Sequence, residues 1–241
     1  MRRELQVVWK RVRPQQGYAN SAKNIVLRQT FAIKMILSLQ DGRKIINFDE
    51  TTIKSTNQRA YSYAMRGSSN SRCYSRDIPG LSLLLAVSQD GLRIFRFIQG
   101  THNTWTFLAF MLEMISMLDV EVKDWRERYI VVLDNCPAHA SEISMRVLTF
   151  LRVPLMFTAP ASYAALPVEG IFAGLKALDL EQIEDPSADI LNELHIKKVT
   201  LQQKVIFKVA GYLNGLHLHK VERIFASRIR ELAGFLSLCP V

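Results

Sequence analysis

Residues 131–140, VVLDNCPAHA, place an aspartate, an asparagine and a proline directly after a run of apolar residues. The run begins at Tyr129 and stays apolar to Leu133, which is typical of a short strand that is covered on both faces in the centre of a sheet. Asp134 therefore stands at the carboxyl end of a buried strand, where ligands gather in α/β sheets. We predict an α/β fold with a functional site beside Asp134.

Helices and strands alternate on both sides of this strand. Upstream, LSLLLAVSQDGLRIFRFIQG (81–100) contains two β-rich runs joined by Asp90-Gly91, a dipeptide that tolerates the positive φ angles of a tight hairpin. Downstream, a helix opens at Pro167, because proline suits the first helical turn. This order predicts a mixed sheet flanked by helices. The predicted elements are helix 22–39, strand 44–50, hairpin 81–98, helix 102–118, strand 128–134, helix 141–151, strand 154–157 and a helix from 167.

The two ends of the chain have basic, helical patterns. Residues 1–13 contain five Arg or Lys side chains, and Pro14 stops any helix there. From about residue 181 onward the pattern is again helical and basic. We predict three units: a basic helical segment and linker at 1–40, an α/β domain at 41–180 and a helical C-terminal extension at 181–241. A short strand at 59–67 and an exposed loop at 67–76 are also expected.

The overall composition indicates a globular protein with an anionic partner. Apolar residues make up 49% of the 241 residues, which is enough for a sizeable core. The net charge of +9 favours an anion such as a phosphate backbone. The chain has no apolar run of signal-peptide or membrane-spanning length, so we expect a soluble intracellular protein. Its three widely spaced cysteines suit a reducing compartment.

Three carboxylates stand out by their positions in the predicted elements. Asp49 ends the first strand, Asp134 ends strand 128–134, and Glu169 lies in the first turn of the last helix of the α/β unit. Parallel neighbouring strands would bring Asp49 and Asp134 together, and the helix could carry Glu169 across to them. Clustered carboxylates repel one another and need cations, and such hard oxygen ligands suit Mg²⁺ or Mn²⁺. Two such ions support in-line phosphoryl transfer.

Each of these side chains also has a purely structural interpretation when it is taken alone. Asp134 could cap the next helix, Glu169 could complement a helix dipole, and Asp49 could be a solvated strand end. Spacing by itself does not join the three. Cys136 and His139 could share a metal ion, but no second Cys/His pair completes a zinc site, so we expect a small buried thiol and a hydrogen-bonded histidine.

Three blocks of sequence nevertheless belong together as a pattern. They are INFDET (46–51), VVLDNCPAHAS (131–141) and APASYAALPVEGIFAGLK (159–176). The second block has a hydrophobic strand followed by Asp-Asn, any residue, Pro, any residue and His, and 34 residues lie between Asp134 and Glu169. In these blocks and this spacing the chain resembles the catalytic domain of the mariner superfamily of cut-and-paste DNA transposases, in the branch whose triad ends in glutamate. The resemblance covers roughly residues 24–178.

The resemblance implies an RNase H-like fold in which Asp49, Asp134 and Glu169 bind two divalent metal ions, Mg²⁺ or Mn²⁺. It implies hydrolytic nicking at transposon ends, followed by attack of the freed 3′ hydroxyl on target DNA. The implied partners are double-stranded DNA, as transposon ends and as target, and a second copy of the chain in a homodimer on paired ends. No membrane partner is expected. The protein should be nuclear if its source is eukaryotic and cytoplasmic otherwise.

The chain departs from the family pattern in two regions. The loop and helix around the third acid have drifted, while the triad itself is retained. The drifted residues are Ala161, Tyr163, Leu166, Gly170 and Phe172. Family members also carry paired helix-turn-helix DNA-binding domains before the catalytic domain, whereas here only the basic residues 1–16 precede it. We therefore expect either that this sequence is a fragment of a longer protein or that a separate domain or subunit recognises the terminal repeats.

Two other hypotheses remain open. A catalytically inert, domesticated DNA-binding or assembly protein would explain the missing front domain and the altered segment 170–172, but not the retention of all three acids. Another RNase H-like nuclease, such as a resolvase or ribonuclease, is disfavoured by the block around Asp134. The cations of the C-terminal extension either contact DNA or a second subunit, or form a solvated face on packed helices. They are Lys197, Lys198, Lys204, Lys208, Lys220, Arg223, Arg228 and Arg230.

Overall fold

A computed structural model of the chain describes residues 20–53, 80–178 and 193–236. The predicted basic helix at 1–13, the strand at 59–67 and the loop at 67–76 lie outside these residues. So do the boundaries near residue 180, and the division into three units remains a prediction. None of the described helices is both long enough and apolar enough to cross a membrane.

The core of the fold is a mixed sheet of five strands in the order β3-β2-β1-β4-β5. Strand β1 runs antiparallel to β2 on one side and parallel to β4 on the other. Strand β5 extends the parallel half and β3 the antiparallel half. The strands are β1 (Lys44–Ile53), β2 (Leu81–Ser88), β3 (Arg93–Gln99), β4 (Tyr129–Leu133) and β5 (Leu155–Phe157). This sheet confirms the predicted α/β fold.

Two details of the strand predictions are wrong. Asp49 does not end β1, because β1 stays paired with β2 from Asp49 as far as Ile53. The parallel pairing of β1 with β4 stops at Asn47, so Asp49 lies where β1 and β4 diverge. The middle strand of the sheet is β1 and not β4, although β4 is covered on both faces as its apolar sequence predicts.

Seven helices cover the two faces of the sheet within the described residues. One face packs against α1, α5, α6 and α7, and the other against α2, α3 and α4. Period-two alternation in β1 sends Ile45 to the first face and Ile46 to the second. The helices are α1 (Ala22–Gln40), α2 (Thr104–Glu121), α3 (Trp125–Arg128), α4 (Glu142–Phe150), α5 (Pro167–Lys176), α6 (Glu193–Asn214) and α7 (Leu218–Leu236).

Capping side chains fix the ends of the helices that border the site. Helix α2 begins two residues later than predicted, because the Asn103 side chain accepts hydrogen bonds from the backbone N–H groups of Trp105 and Thr106. Ser141 caps α4 in the same way, accepting from the N–H of Ser144 at 3.2 Å. The loops before α2 and α4 therefore end at defined positions beside the edge of the sheet.

Candidate active site

Asp49 and Asp134 meet because their strands are parallel neighbours. The register pairs Asn47 with Val132, and two further residues along each chain bring Asp49 level with Asp134. Asp49 is half-buried, and its Oδ1 accepts a hydrogen bond of 2.8 Å from the Glu50 N–H. The sequence analysis predicted that Asp49 and Asp134 would meet if their strands were parallel neighbours. The register of β1 and β4 has this arrangement.

The loop after β4 orients the Asp134 carboxylate. Its Oδ1 accepts a hydrogen bond from the Cys136 N–H at 3.1 Å and lies 2.6 Å from Nδ1 of His139. Asn135 donates from Nδ2 to the backbone carbonyl of Thr158 at 2.9 Å, which ties this loop to the segment after β5. The residues after Asp134 therefore do more than turn the chain, because their hydrogen bonds hold the Asp134 carboxylate in place.

Asn47 ties Glu169 to the two strands, and the sequence analysis missed its role. Its side chain is fully buried, accepts a hydrogen bond of 3.0 Å from the Val168 N–H and donates one of 3.3 Å to the Val132 carbonyl. One amide thus joins β1, β4 and the first turn of α5, where Glu169 lies. The available signal was a polar residue inside the apolar run KIINF.

Helix α7 holds α5 and the preceding loop from the other side. The Arg228 guanidinium donates a hydrogen bond of 3.0 Å to the Ala164 carbonyl. Gly170 faces Ile224 so closely that a Cβ there would lie 2.7 Å from the Ile224 Cγ2 atom. The departure from the family pattern at Gly170 therefore has a structural reason. A residue without a side chain lets α7 pack closely against the helix that carries Glu169.

All three predicted acids line one open cavity of about 400 Å³. Asp49 and Asp134 contribute from the sheet, and Glu169 contributes from α5. The opposite wall is the loop between β5 and α5, which includes the 64% exposed Tyr163. The other lining residues are Asn135, Cys136, Thr158, Ala159, Pro160, Ala161, Ser162 and Leu166.

Crowding of negative charge shifts the proton affinities at this cavity. Burial, together with repulsion from Glu50, Asp134 and Glu169, raises the pKa of Asp49 to about 7 despite the hydrogen bond from the Glu50 N–H. Burial acts in the same direction on Asp134, but the hydrogen bond and charge of His139 outweigh it, so the pKa of Asp134 is lowered. Asp134 is thus a carboxylate at neutral pH, while Asp49 needs a proton or a cation nearby.

His139 is the second residue whose importance the sequence analysis underestimated. Its side chain is fully buried against the Phe107 ring, with ring centroids 4.4 Å apart. Burial alone would lower the pKa of His139, but its contacts with Asp134 and Glu50 outweigh burial and raise it to about 9. The expected hydrogen bond is present at Nδ1, whereas Nε2 lies 3.2 Å from the Glu50 Oε2 atom without hydrogen-bond geometry.

The donor set of the cavity fits hard divalent cations. It consists of carboxylate oxygens from three elements of the fold, which are the ligands that Mg²⁺ and Mn²⁺ prefer. Burial and then repulsion from the neighbouring carboxylates raise the pKa of Asp49, whereas the contact with His139 balances the charge of Asp134. A cation between Asp49, Asp134 and Glu169 would relieve that repulsion.

A mixed sheet with helices on both faces and three acids at the edge of its parallel half defines a class of nucleases, and the family comparison agrees. Residues 44–182 match the family model for DDE superfamily endonucleases. The chain belongs to this family. A comparison with curated proteins finds no match.

Solved structures with the same fold are those of the Mos1 mariner transposase. The paired-end complex of Mos1 with Mn superposes with a TM-score of 0.72 at 16% identity, covering 97% of this chain and 67% of that one. The isolated catalytic domain of Mos1 gives 0.64 at 12% identity, with coverage of 93% and 96%. The strand transfer complex of Mos1 gives 0.70 at 15% identity, with coverage of 98% and 67%. These likenesses confirm the predicted RNase H-like fold of the mariner type.

Proposed function

We propose that the chain is a DDE transposase that nicks DNA at transposon ends and joins the freed 3′ hydroxyl to target DNA. The observation that carries this proposal is the gathering of Asp49, Asp134 and Glu169 around one cavity in a member of the DDE endonuclease family. A catalytically inert, DNA-binding descendant would have no need to keep this charge cluster, because mutual repulsion raises its energy. The catalytic alternative therefore explains more of the structure.

Asp49, Asp134 and Glu169 would hold two divalent ions, Mg²⁺ or Mn²⁺. When bound, such ions activate a water or hydroxyl nucleophile and stabilise the leaving oxygen of a phosphodiester. The chain's own groups prepare the carboxylates for this role. His139 keeps Asp134 ionised, and Asn47 anchors the helix turn that presents Glu169. The cavity is open to solvent, and the exposed Tyr163 lies on its wall.

DNA is the substrate that charge and fold both favour. A surplus of nine positive charges gives affinity for phosphates that falls steeply with salt, since each neutralised phosphate releases counterions. Tyr163 offers an exposed ring beside the acids on which a base could stack. The Mos1 structures include complexes on paired transposon ends. By analogy we propose a homodimer on paired ends, with recognition of the end sequence by a separate domain or subunit.

Nicking of supercoiled plasmid DNA tests the proposal without knowledge of the end sequence. The full chain should convert supercoiled to open-circular DNA with Mg²⁺ or Mn²⁺ and not with EDTA. Asp49→Asn, Asp134→Asn and Glu169→Gln should each reduce the rate at least about 100-fold, because loss of one ligand disrupts the metal centre. Glu142→Gln is the matched control, since Glu142 is an acid on α4 with 77% of its side chain exposed.

The outcomes separate the hypotheses. Nicking that survives substitution of both Asp49 and Asp134 would reject the enzyme assignment. A chain that binds DNA in a salt-dependent way but never nicks it, with either metal, would support the inert alternative. Preferential cleavage of an RNA/DNA hybrid over duplex DNA would point instead to a ribonuclease of the same fold.

A further inference from the structure

A second group of potential metal ligands adjoins the acidic cavity, which one of its members also lines. It consists of Glu50 on β1, His102 before α2, and Cys136 and His139 in the loop after β4. One ligand atom from each of these four side chains lies within 4.8 Å of all the others. The sequence offered only the Cys136 and His139 pair, and the fold adds a carboxylate and an imidazole from 86 and 34 residues upstream of Cys136.

The contacts inside this group are close but leave two atoms without hydrogen bonds. The His102 Nε2 atom lies 2.5 Å from the Glu50 Oε1 atom, and the His139 Nε2 atom lies 3.2 Å from the Glu50 Oε2 atom. Although this second pair is close, neither His139 Nε2 nor Glu50 Oε2 makes a hydrogen bond. The two atoms face each other as an ion pair that lacks hydrogen-bond geometry, and a buried polar atom without a hydrogen bond is unfavourable.

The other side of His139 has the geometry of a metal-bound histidine. Its Nδ1 atom lies 2.6 Å from the Asp134 Oδ1 atom. Histidines that bind a metal through one ring nitrogen usually donate the other ring N–H to a carboxylate, which fixes the tautomer and the ring orientation. With Nδ1–H donating to Asp134, the Nε2 atom of His139 faces Glu50 and the ligand group, and a bound zinc ion would displace the proton on Nε2.

We propose that Glu50, His102, Cys136 and His139 bind one zinc ion, at a site that adjoins the three-acid cavity and shares Cys136 with its lining. Nitrogen, sulfur and one carboxylate oxygen are the ligands that zinc accepts in tetrahedral sites, whereas Mg²⁺ and Mn²⁺ prefer oxygen alone. Ligand atoms around zinc lie about 3.3–3.8 Å apart, given bond lengths of about 2.0–2.3 Å. Separations of up to 4.8 Å would therefore shrink by about 1 Å, and the His102–Glu50 pair at 2.5 Å would open by about 1 Å.

The proposed zinc site and the acidic cavity share Cys136, and the contact between His139 and Asp134 links them a second time. A zinc ion on His139 Nε2 holds the ring in place, and the ring in turn holds the Asp134 carboxylate at the cavity. Zinc is therefore expected to position Asp134 without contacting the substrate. This proposal goes beyond the transposase activity and does not need it, because metal binding is measured on the protein alone.

Cobalt substitution gives a thiolate signal, and Asp49→Asn serves as the control that separates this site from the three-acid cavity, which Cys136 also lines. The full chain with Cys73→Ser and Cys239→Ser keeps Cys136 as its single thiol. Titration of this metal-free protein with Co²⁺ should produce a thiolate-to-cobalt absorption band that saturates at one equivalent and is displaced by Zn²⁺. Cys136→Ser should remove the band, and Asp49→Asn should leave it unchanged. If the chain proved not to be a transposase, the cobalt band would still be expected. The two proposals can therefore fail independently.

Two further measurements keep the proposal testable if a variant folds poorly. Zn²⁺ should slow alkylation of Cys136 in the single-thiol protein, and Mg²⁺ should not. Asp134→Asn should weaken zinc binding by about 10–100-fold, as expected when the carboxylate partner of a metal-bound histidine is lost. The proposal is overturned if the single-thiol protein gives no cobalt–thiolate band, or if Zn²⁺ and Mg²⁺ protect Cys136 equally.

Discussion

Replacing Asp49 by asparagine should stabilise the metal-free protein at neutral and alkaline pH. Asp49 is half-buried and carries a pKa of about 7 because of burial and of the carboxylates of Glu50, Asp134 and Glu169 around it. Its ordinary pKa of 3.8 applies in the unfolded chain. The folded protein therefore holds the Asp49 proton more tightly than the unfolded chain does, and stability is lost as the pH rises from about 4 to about 7.

The pKa difference sets the size of the effect. A change from 3.8 to about 7 corresponds to at most about 4 kcal/mol, at about 1.36 kcal/mol per pH unit. Asparagine has the same shape as aspartate and can still accept the hydrogen bond from the Glu50 N–H, but it carries no charge. Asp49→Asn should therefore raise the free energy of unfolding by up to about 4 kcal/mol above pH 7, and by little below pH 4. For a chain of this length, each kcal/mol corresponds to about 2–4 °C in Tm.

Thermal unfolding followed by circular dichroism measures this directly. Wild type, Asp49→Asn and the exposed control Glu142→Gln are compared in EDTA at several pH values from 4 to 8. The gap between wild type and Asp49→Asn should open as the pH rises, and added Mg²⁺ should narrow it by stabilising only the wild type. A variant that is less stable than wild type at pH 8, or a gap that does not change with pH, would refute the account of a carboxylate whose pKa is raised by burial and charge crowding at Asp49.

Two further substitutions test how Glu169 is positioned. Asn47→Leu should lower the free energy of unfolding by about 1–3 kcal/mol, because the buried N–H of Val168 loses its acceptor, and should also weaken Mg²⁺-induced stabilisation. Stability equal to wild type would contradict this role. Gly170→Ala should lower the free energy of unfolding by about 1–3 kcal/mol, because the added Cβ clashes with Ile224. Adding Ile224→Ala to this variant should relieve the clash. Gly211→Ala is the control, because a Cβ at this helical position meets open space. It should raise the free energy of unfolding by up to about 1 kcal/mol. Urea unfolding measures all of these variants.

Sequence patterns predicted those parts of the structure that depend on neighbouring residues. The hairpin of β2 and β3 is signalled by Asp90-Gly91, and Gly91 adopts a φ of 91° in the turn. The apolar run before Asp134 predicts a strand covered on both faces, which the fold confirms. The spacing of the three blocks predicted their association through a family resemblance. In each case the information lies within a few residues or in a recognisable motif.

Contacts between distant segments could not be predicted in the same way. The Asn47 side chain accepts from Val168, 121 residues away, and nothing in the local sequence identifies that partner. In the sequence, Gly170 is only a departure from the family pattern. The reason for a glycine there is the close approach of Ile224 in α7. The end of β1 was misplaced because pairing with β2, and not the chemistry of Asp49, determines where that strand stops.

The adjacent acids Asp49 and Glu50 show why the sheet determines which carboxylate serves which site. Successive side chains of a strand point to opposite faces. Asp49 follows Asn47 on the face that carries α5, so it reaches the cavity with Glu169. Glu50 follows Phe48 on the face that carries α2, so it reaches the two histidines. A shift of register by one residue would exchange the two acids, and the acidic cavity and the histidine group would then each hold the wrong carboxylate.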